Sequence, residues 1–128
     1  MALPPAGLPR EARIRRPADF AALRTSSGRL GGRCFHLRYA PNALGHARLG
    51  LAISKRVSKR AVERNRIKRL VRESFRQLGQ QLPAVDVMVM ARDHAAGVAG
   101  PLLLTQMDEL WKKLLAVHAV RAPAAVRH

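Results

Sequence analysis

Arg64, Asn65 and Arg66 set two planar cations around one side-chain amide. Guanidinium groups grip phosphate oxygens in a fork or stack on bases, and an asparagine amide can pair with a base edge. The triplet lies in the densest charge of the chain: residues 55–76, KRVSKRAVERNRIKRLVRESFR, hold ten lysines and arginines and two acids, Glu63 and Glu73. Like charges packed this closely repel one another unless a polyanion supplies the missing negative charge. Glu63 and Glu73 can offset only a few of them through pairs three or four residues apart. Solvated helix faces usually mix the two signs, and this one does not. Nucleic-acid phosphate is the counter-charge the segment suits.

Cleavage chemistry by the protein itself would need paired carboxylates with a metal, or histidines placed for proton transfer. The acids Glu11, Asp19, Glu63, Glu73, Asp86, Asp93, Asp108 and Glu109 are scattered and show no metal-ligand spacing. His36, His46, His94, His118 and His128 are equally dispersed. Cys34 is the only cysteine, which excludes an internal disulfide and a thiol cluster for zinc, and it reads as a small packed residue. The expectation is a binding protein with no catalytic residue and no metal ligands of its own.

The whole chain carries the same bias. It has 128 residues, with 24 lysines and arginines against eight acids, a formal charge of +16 and a pI near 11.9. That field favours RNA, DNA or an anionic membrane surface, and composition does not choose among them. Its length fits one domain, and 48% hydrophobic residues support a single core. The N-terminus has prolines where a secretion signal would have an apolar stretch, and no run of about 18 apolar residues occurs. A soluble protein of the reducing cytoplasm is expected.

The elements that must position the triplet follow from periodicity. Ile67, Leu70, Val71, Ser74, Phe75 and Leu78 recur at helical spacing, so a helix from about Arg60 to Leu78 packs that stripe and turns Arg69, Arg72 and Arg76 outward, with Arg66 and Lys68 on the flanks. Gly79 and Pro83 stop it. Pro17 opens a short helix to Arg24, ended before turn signals at Ser27 and Gly28. Alternation of Phe35, Leu37 and Tyr39 with Cys34, His36 and Arg38 predicts a strand; Leu49–Ser54 and Val85–Ala91 read as two more, and about Leu102 to His118 as a last helix. Strand, basic helix, strand forms a crossover unit. The expected architecture is α/β in the α+β sense: a small two-layer sandwich of three to four mixed strands and three helices, the helices covering one side of the sheet. Residues 10–118 form the domain, between loose tails at 1–9 and 119–128.

The run RLGLAISKRVSKRAVERNRIKRLVRESFR, residues 48–76, resembles the signature of the protein subunit of bacterial ribonuclease P. The likeness extends to Arg13, Arg15 and Phe20 in an R-x-R-x-x-x-x-F spacing, to LPAVDVMVMAR, and to DELWKK. It covers about residues 8 to 115. The resemblance implies the fold of the second domain of ribosomal protein S5, with a left-handed βαβ crossover against the usual rule. It implies an accessory subunit of a tRNA-processing endoribonuclease whose RNA is catalytic and removes the 5′ leader of precursor tRNA. Arg64, Asn65 and Arg66, with Lys68, Arg69 and Arg72, would meet the catalytic RNA. Phe20, Lys55, Arg56 and Arg15 would hold the leader in a cleft between sheet and N-terminal helix. Some relatives carry aromatics where this chain has Arg24 and Arg38, so cations would take more of the leader contact here. Magnesium would act through the RNA, the protein would bind no cofactor, and one monomer would serve each RNA, with no DNA and no membrane partner. A structural RNA-binding protein such as a ribosomal component is the alternative, and a membrane-surface protein using the basic helix is a third reading.

Overall fold

The chain is described by a computed structural model over residues 8–25 and 28–121. Its helices are α1 (Pro17–Thr25), α2 (Ala61–Leu78) and α3 (Gly100–Arg121), and its strands are β1 (Gly28–Gly31), β2 (Phe35–Pro41), β3 (Arg48–Ala52) and β4 (Val85–Ala91). The sheet runs β1-β2-β4-β3. β1 and β2, and β2 and β4, pair antiparallel; β3 and β4 pair parallel and are joined through α2, which is the expected crossover.

Strand periodicity decides the faces. Phe35, Leu37 and Tyr39 of β2 and Val85, Val87 and Val89 of β4 are buried on the side packed by α2 and α3. The stripe of α2 packs as its spacing requires, with Ile67, Val71, Ser74 and Phe75 buried. α3 meets it with Leu103, Met107, Leu110, Trp111 and Leu114, all fully buried. Phe75 and Trp111 stand edge to face, 5.6 Å apart and inclined at 63°. The indole Nε1 donates to Ser74 Oγ at 2.8 Å, and Ser74 Oγ donates to Asp108 Oδ1 at 2.6 Å. This relay is the polar fastener between the two helices, so the serine in the apolar stripe is satisfied despite its burial.

Three expectations change. The turn expected at Gly28 is instead the start of edge strand β1, which pairs Gly28 through Gly31 with Tyr39 through His36. Four residues containing two glycines carry no strand pattern of their own; β2 imposes it by pairing. The second sheet face is not left bare, because α1 crosses it, burying Ile14, Leu23 and Met88 with Phe20, Ala40 and Met90 around them. Leu8 belongs to the core despite its place in the expected 1–9 tail, and α3 extends to Arg121, beyond the expected boundary. The rest of both expected tails lies outside the described residues.

Replacing Ser74 by Ala leaves a buried indole N–H and a carboxylate without their shared partner, which costs about 1–3 kcal/mol. Chemical denaturation of Ser74→Ala should show that loss at unchanged m-value; an unaltered midpoint would mean that the relay does not fasten α3 to α2.

Candidate nucleic-acid interface

The cations of α2 divide between its two flanks. At about 100° per residue, Arg64, Lys68 and Arg72 follow one another down one side of the stripe, and Arg66 and Arg69 down the other. The structure separates them accordingly. Lys68 and Arg72 reach a groove at the β3 edge, while Arg66 and Arg69 border a groove against α3.

Arg64 also has a task within the fold. Its Nη1 donates to the carbonyls of Ser58 at 2.9 Å and Lys59 at 3.0 Å, so it holds the loop entering α2 with one end of its guanidinium. Asn65 and Arg66 are exposed. Arg66 Nη2 donates to the Ala96 carbonyl at 3.4 Å and lies 3.7 Å from Glu63. Arg76, expected to point outward, is half-buried and bonded to Glu73. The apolar stripe fixes which way these side chains leave the helix, and neighbouring carbonyls fix where they end.

The β3-edge groove is about 180 Å³ and is lined by Leu8, Arg13, Phe20, Gly50, Lys68 and Arg72 among others. The chain before α1 pairs with β3 at a single point, Arg13 with Leu49, where Ile14 N–H donates to the Leu49 carbonyl at 2.9 Å. That register buries Ile14 and sends Arg13 into the groove. Arg15 is exposed in the same segment and is not part of the groove lining. Phe20 is half-buried, packed on the small core beneath α1 and lining the groove with its ring. The ring occupies space that only glycine leaves: a Cβ at Gly50 would stand 2.6 Å from Phe20 Cε1. Among the described residues, no carboxylate lines this groove. Arg72 holds its proton less tightly than a free arginine, first through burial and then through the charges of Arg13 and Arg69. Three cations gathered here give the groove a positive field.

Lys55 and Arg56 lie in the turn that follows β3 and are exposed. Val57, buried at its end, donates from N–H to the Ser54 carbonyl at 3.1 Å, which pins the turn and leaves the two cations at the surface. Strand register continues this surface over the sheet. Gly31, His36, Met90 and Ala52 form one row across the face that α1 only partly covers. Arg29, Arg38 and Arg92 surround His36 there. Arg38 Nη1 donates to the Arg24 carbonyl at 2.9 Å, so these two positions meet, with the Arg38 guanidinium partly used in holding α1. The His36 imidazole is pushed below its ordinary pKa by burial, then by Arg92 and Arg38. Arg29 and Arg92 escaped the sequence reading because β1 has no strand pattern and Arg92 lies just beyond β4; pairing alone brings them beside His36.

The position of α1 depends on a cluster that sequence spacing did not reveal. Arg48 donates to Asp86 through Nε at 2.9 Å and Nη2 at 2.7 Å, and Nη2 lies 3.4 Å from Asp19 of α1. Asn42 donates to the same Asp86 carboxylate at 2.8 Å. Two of the acids taken as scattered are therefore neighbours, held by an arginine rather than set for acid-base work. Among the described residues, no three histidine, cysteine, aspartate or glutamate side chains come together as metal ligands, and no helix is long and apolar enough to cross a membrane.

A basic helix beside a groove lined by an aromatic ring, on a β1-β2-β4-β3 sheet, has counterparts among known proteins. The family model described as Ribonuclease P matches residues 8–115. The chain belongs to the ribonuclease P protein family. It is 42% identical over 105 residues to the ribonuclease P protein component of Methylococcus capsulatus, covering 82% of each chain. It is 43% identical over 109 residues to that of Stutzerimonas stutzeri, covering 84% of this chain and 83% of the relative. The solved Staphylococcus aureus RNase P protein superposes with a TM-score of 0.73 at 29% identity, over 84% of this chain and 94% of that one. Membership in this family places the paired basic surfaces on an RNA-processing protein rather than on a ribosomal component or a membrane-surface protein.

Gly50→Ala should force the Phe20 ring off β3 and weaken binding of single-stranded RNA several-fold, as fluorescence anisotropy with a short oligonucleotide would record; unchanged affinity in a folded variant would remove Phe20 from the interface. His36 yields a pH prediction of fixed sign. Its folded-state pKa is lowered, so the unfolded chain binds the extra proton, and this contribution to stability falls as pH drops below about 6.5 and levels off under the folded value. His36→Gln should flatten that part of the stability profile; a profile identical to the native one would contradict the assignment.

Proposed function

We propose that this ribonuclease P protein acts as the accessory subunit of a holoenzyme in which RNA carries out the cleavage, binding the catalytic RNA with one surface and the 5′ leader of precursor tRNA with another. The observation that carries the reading is the division of the α2 cations between two grooves. Asn65, Arg66 and Arg69 project from α2 toward one RNA surface. Phe20, Gly50, Lys55 and Arg56, with the sheet row around His36, line a path for a single strand. Lys68 and Arg72 line the β3-edge groove together with Phe20 and Gly50.

The chemistry of each surface fits its proposed ligand. A base stacked on an aromatic ring gains about 1–3 kcal/mol whatever its identity, which suits leaders of varied sequence. Arg29, Arg38 and Arg92 add phosphate contacts where a second aromatic is absent. Arg13, which lines the groove, joins Arg15, the position the family resemblance implies, on the leader side. Neutralising phosphate lowers the repulsion between leader and catalytic RNA, so the protein reduces the magnesium needed for assembly. Magnesium serves the reaction through RNA phosphates, and the protein's residues bind and orient. The reading places one monomer on each RNA, in the cytoplasm.

Processing of precursor tRNA should be undetectable with the protein alone and should rise at low magnesium when the protein joins the catalytic RNA. Cleavage by the protein alone, or no gain over RNA at low magnesium, would overturn the proposal. Arg66→Ala and Arg69→Ala should each weaken assembly and make the salt slope of binding shallower by about one for each phosphate no longer neutralised; an unchanged slope would remove that residue from the RNA interface.

A further inference from the structure

The groove between α2 and α3 is built differently from the other basic surfaces. It is a shallow groove open to solvent, about 420 Å³, between Leu70 of α2 and Gly100 and Leu104 of α3, with Arg66, Arg69 and Glu73 along its α2 side. That volume lies within the range of small-ligand clefts, about 300–1,000 Å³. Leu70 and Leu104 are only half-buried, although both belong to the helix pair that forms the core. Gly100 keeps the upper end open: a Cβ there would stand 3.7 Å from Arg66 Nη1 and 3.9 Å from Leu70 Cδ1, so any longer side chain would project into the groove.

An apolar floor beneath two guanidinium groups matches a ligand with a flat apolar face and a phosphate attached to it. Arg66 is already drawn toward the groove by the Ala96 carbonyl, which holds its plane over the α3 side. A formal charge of +16 excludes a basic partner, and a purely anionic ligand would leave the leucine floor unused. We infer that this groove receives a single unpaired nucleobase of the catalytic RNA, its face on Leu70 and Leu104 and its flanking phosphates on Arg66 and Arg69. The inference rests on the proposed binding of that RNA and deepens it. α2 then does more than neutralise phosphate: it recognises a point where the RNA leaves a base unstacked. The α2–α3 pairing fastened by Ser74, Trp111 and Asp108 fixes the width of the groove.

The test is the affinity of the full-length protein for its cognate catalytic RNA across a salt series, with Leu104→Asn and Gly100→Leu compared with the native chain. Leu104→Asn removes the apolar floor without adding charge, and Gly100→Leu fills the groove from its open end. Both should weaken binding several-fold, through loss of apolar contact under the base, while the salt slope stays at its native value. Thermal melts of both variants establish that they fold, and either folded variant suffices. Abasic substitution at one unpaired position of the RNA should weaken the native protein and leave Leu104→Asn no worse. Native affinity in a folded variant, or a loss accompanied by a shallower slope, would overturn the base site while leaving RNA binding intact. Failure of the native chain to bind the catalytic RNA would overturn the underlying reading instead.

Discussion

Repulsion among the cations of α2 is the constraint on which the rest of the structure depends. A helix with this charge cannot be held by its own ion pairs, since among the described residues the only cations that Glu63 and Glu73 pair with are Arg66 and Arg76. It is held from the opposite side. Ile67, Val71 and Phe75 are buried against the sheet and α3, and the Ser74 relay to Trp111 and Asp108 fixes the pairing. The burial of one stripe lets the protein keep the remaining circumference charged, and the fold fixes the directions in which that charge projects.

Those directions explain why one helix can serve two surfaces. The flank facing β3 meets Phe20 and Gly50, where an aromatic ring lies directly on backbone. The flank facing α3 meets leucines and a glycine. Charge is shared by both flanks; what differs is the chemistry beside it, an aromatic ring on one side and aliphatic side chains on the other. Arg48 links the halves of the molecule by gripping Asp86 of β4 while facing Asp19 of α1, so the placement of Phe20 follows from an ion-pair cluster remote from any ligand.

Much of this was legible in the sequence because the signals were long and periodic. The α2 stripe spans three turns, and residues 48–76 carried a specific family resemblance, so the crossover and its charge could be anticipated. Strand β2 was equally plain from Phe35, Leu37 and Tyr39. What escaped depends on partners far away in the chain. β1 exists because β2 offers it a ladder, and Arg13 lines the groove because one backbone bridge to Leu49 docks it at the β3 edge. Asp19 and Asp86 are far apart in sequence and meet only through Arg48. Arg64 illustrates the same limit: its place in the RNR triplet says nothing of the loop before it, yet two loop carbonyls claim one end of its guanidinium.

The central claim is that the two surfaces are separable, and binding to the assembled holoenzyme tests it most directly. Affinity for precursor tRNA is measured against affinity for the same tRNA without its leader, alongside affinity of the protein for the catalytic RNA, in Phe20→Ala with Lys55→Ala and in Arg66→Ala with Arg69→Ala. The account predicts that the first pair abolishes most of the preference for the leader while catalytic-RNA affinity stays near native, and that the second pair does the reverse. Equal losses of both affinities in both pairs would contradict it, because they would mean that the cations form one undivided polyanion surface.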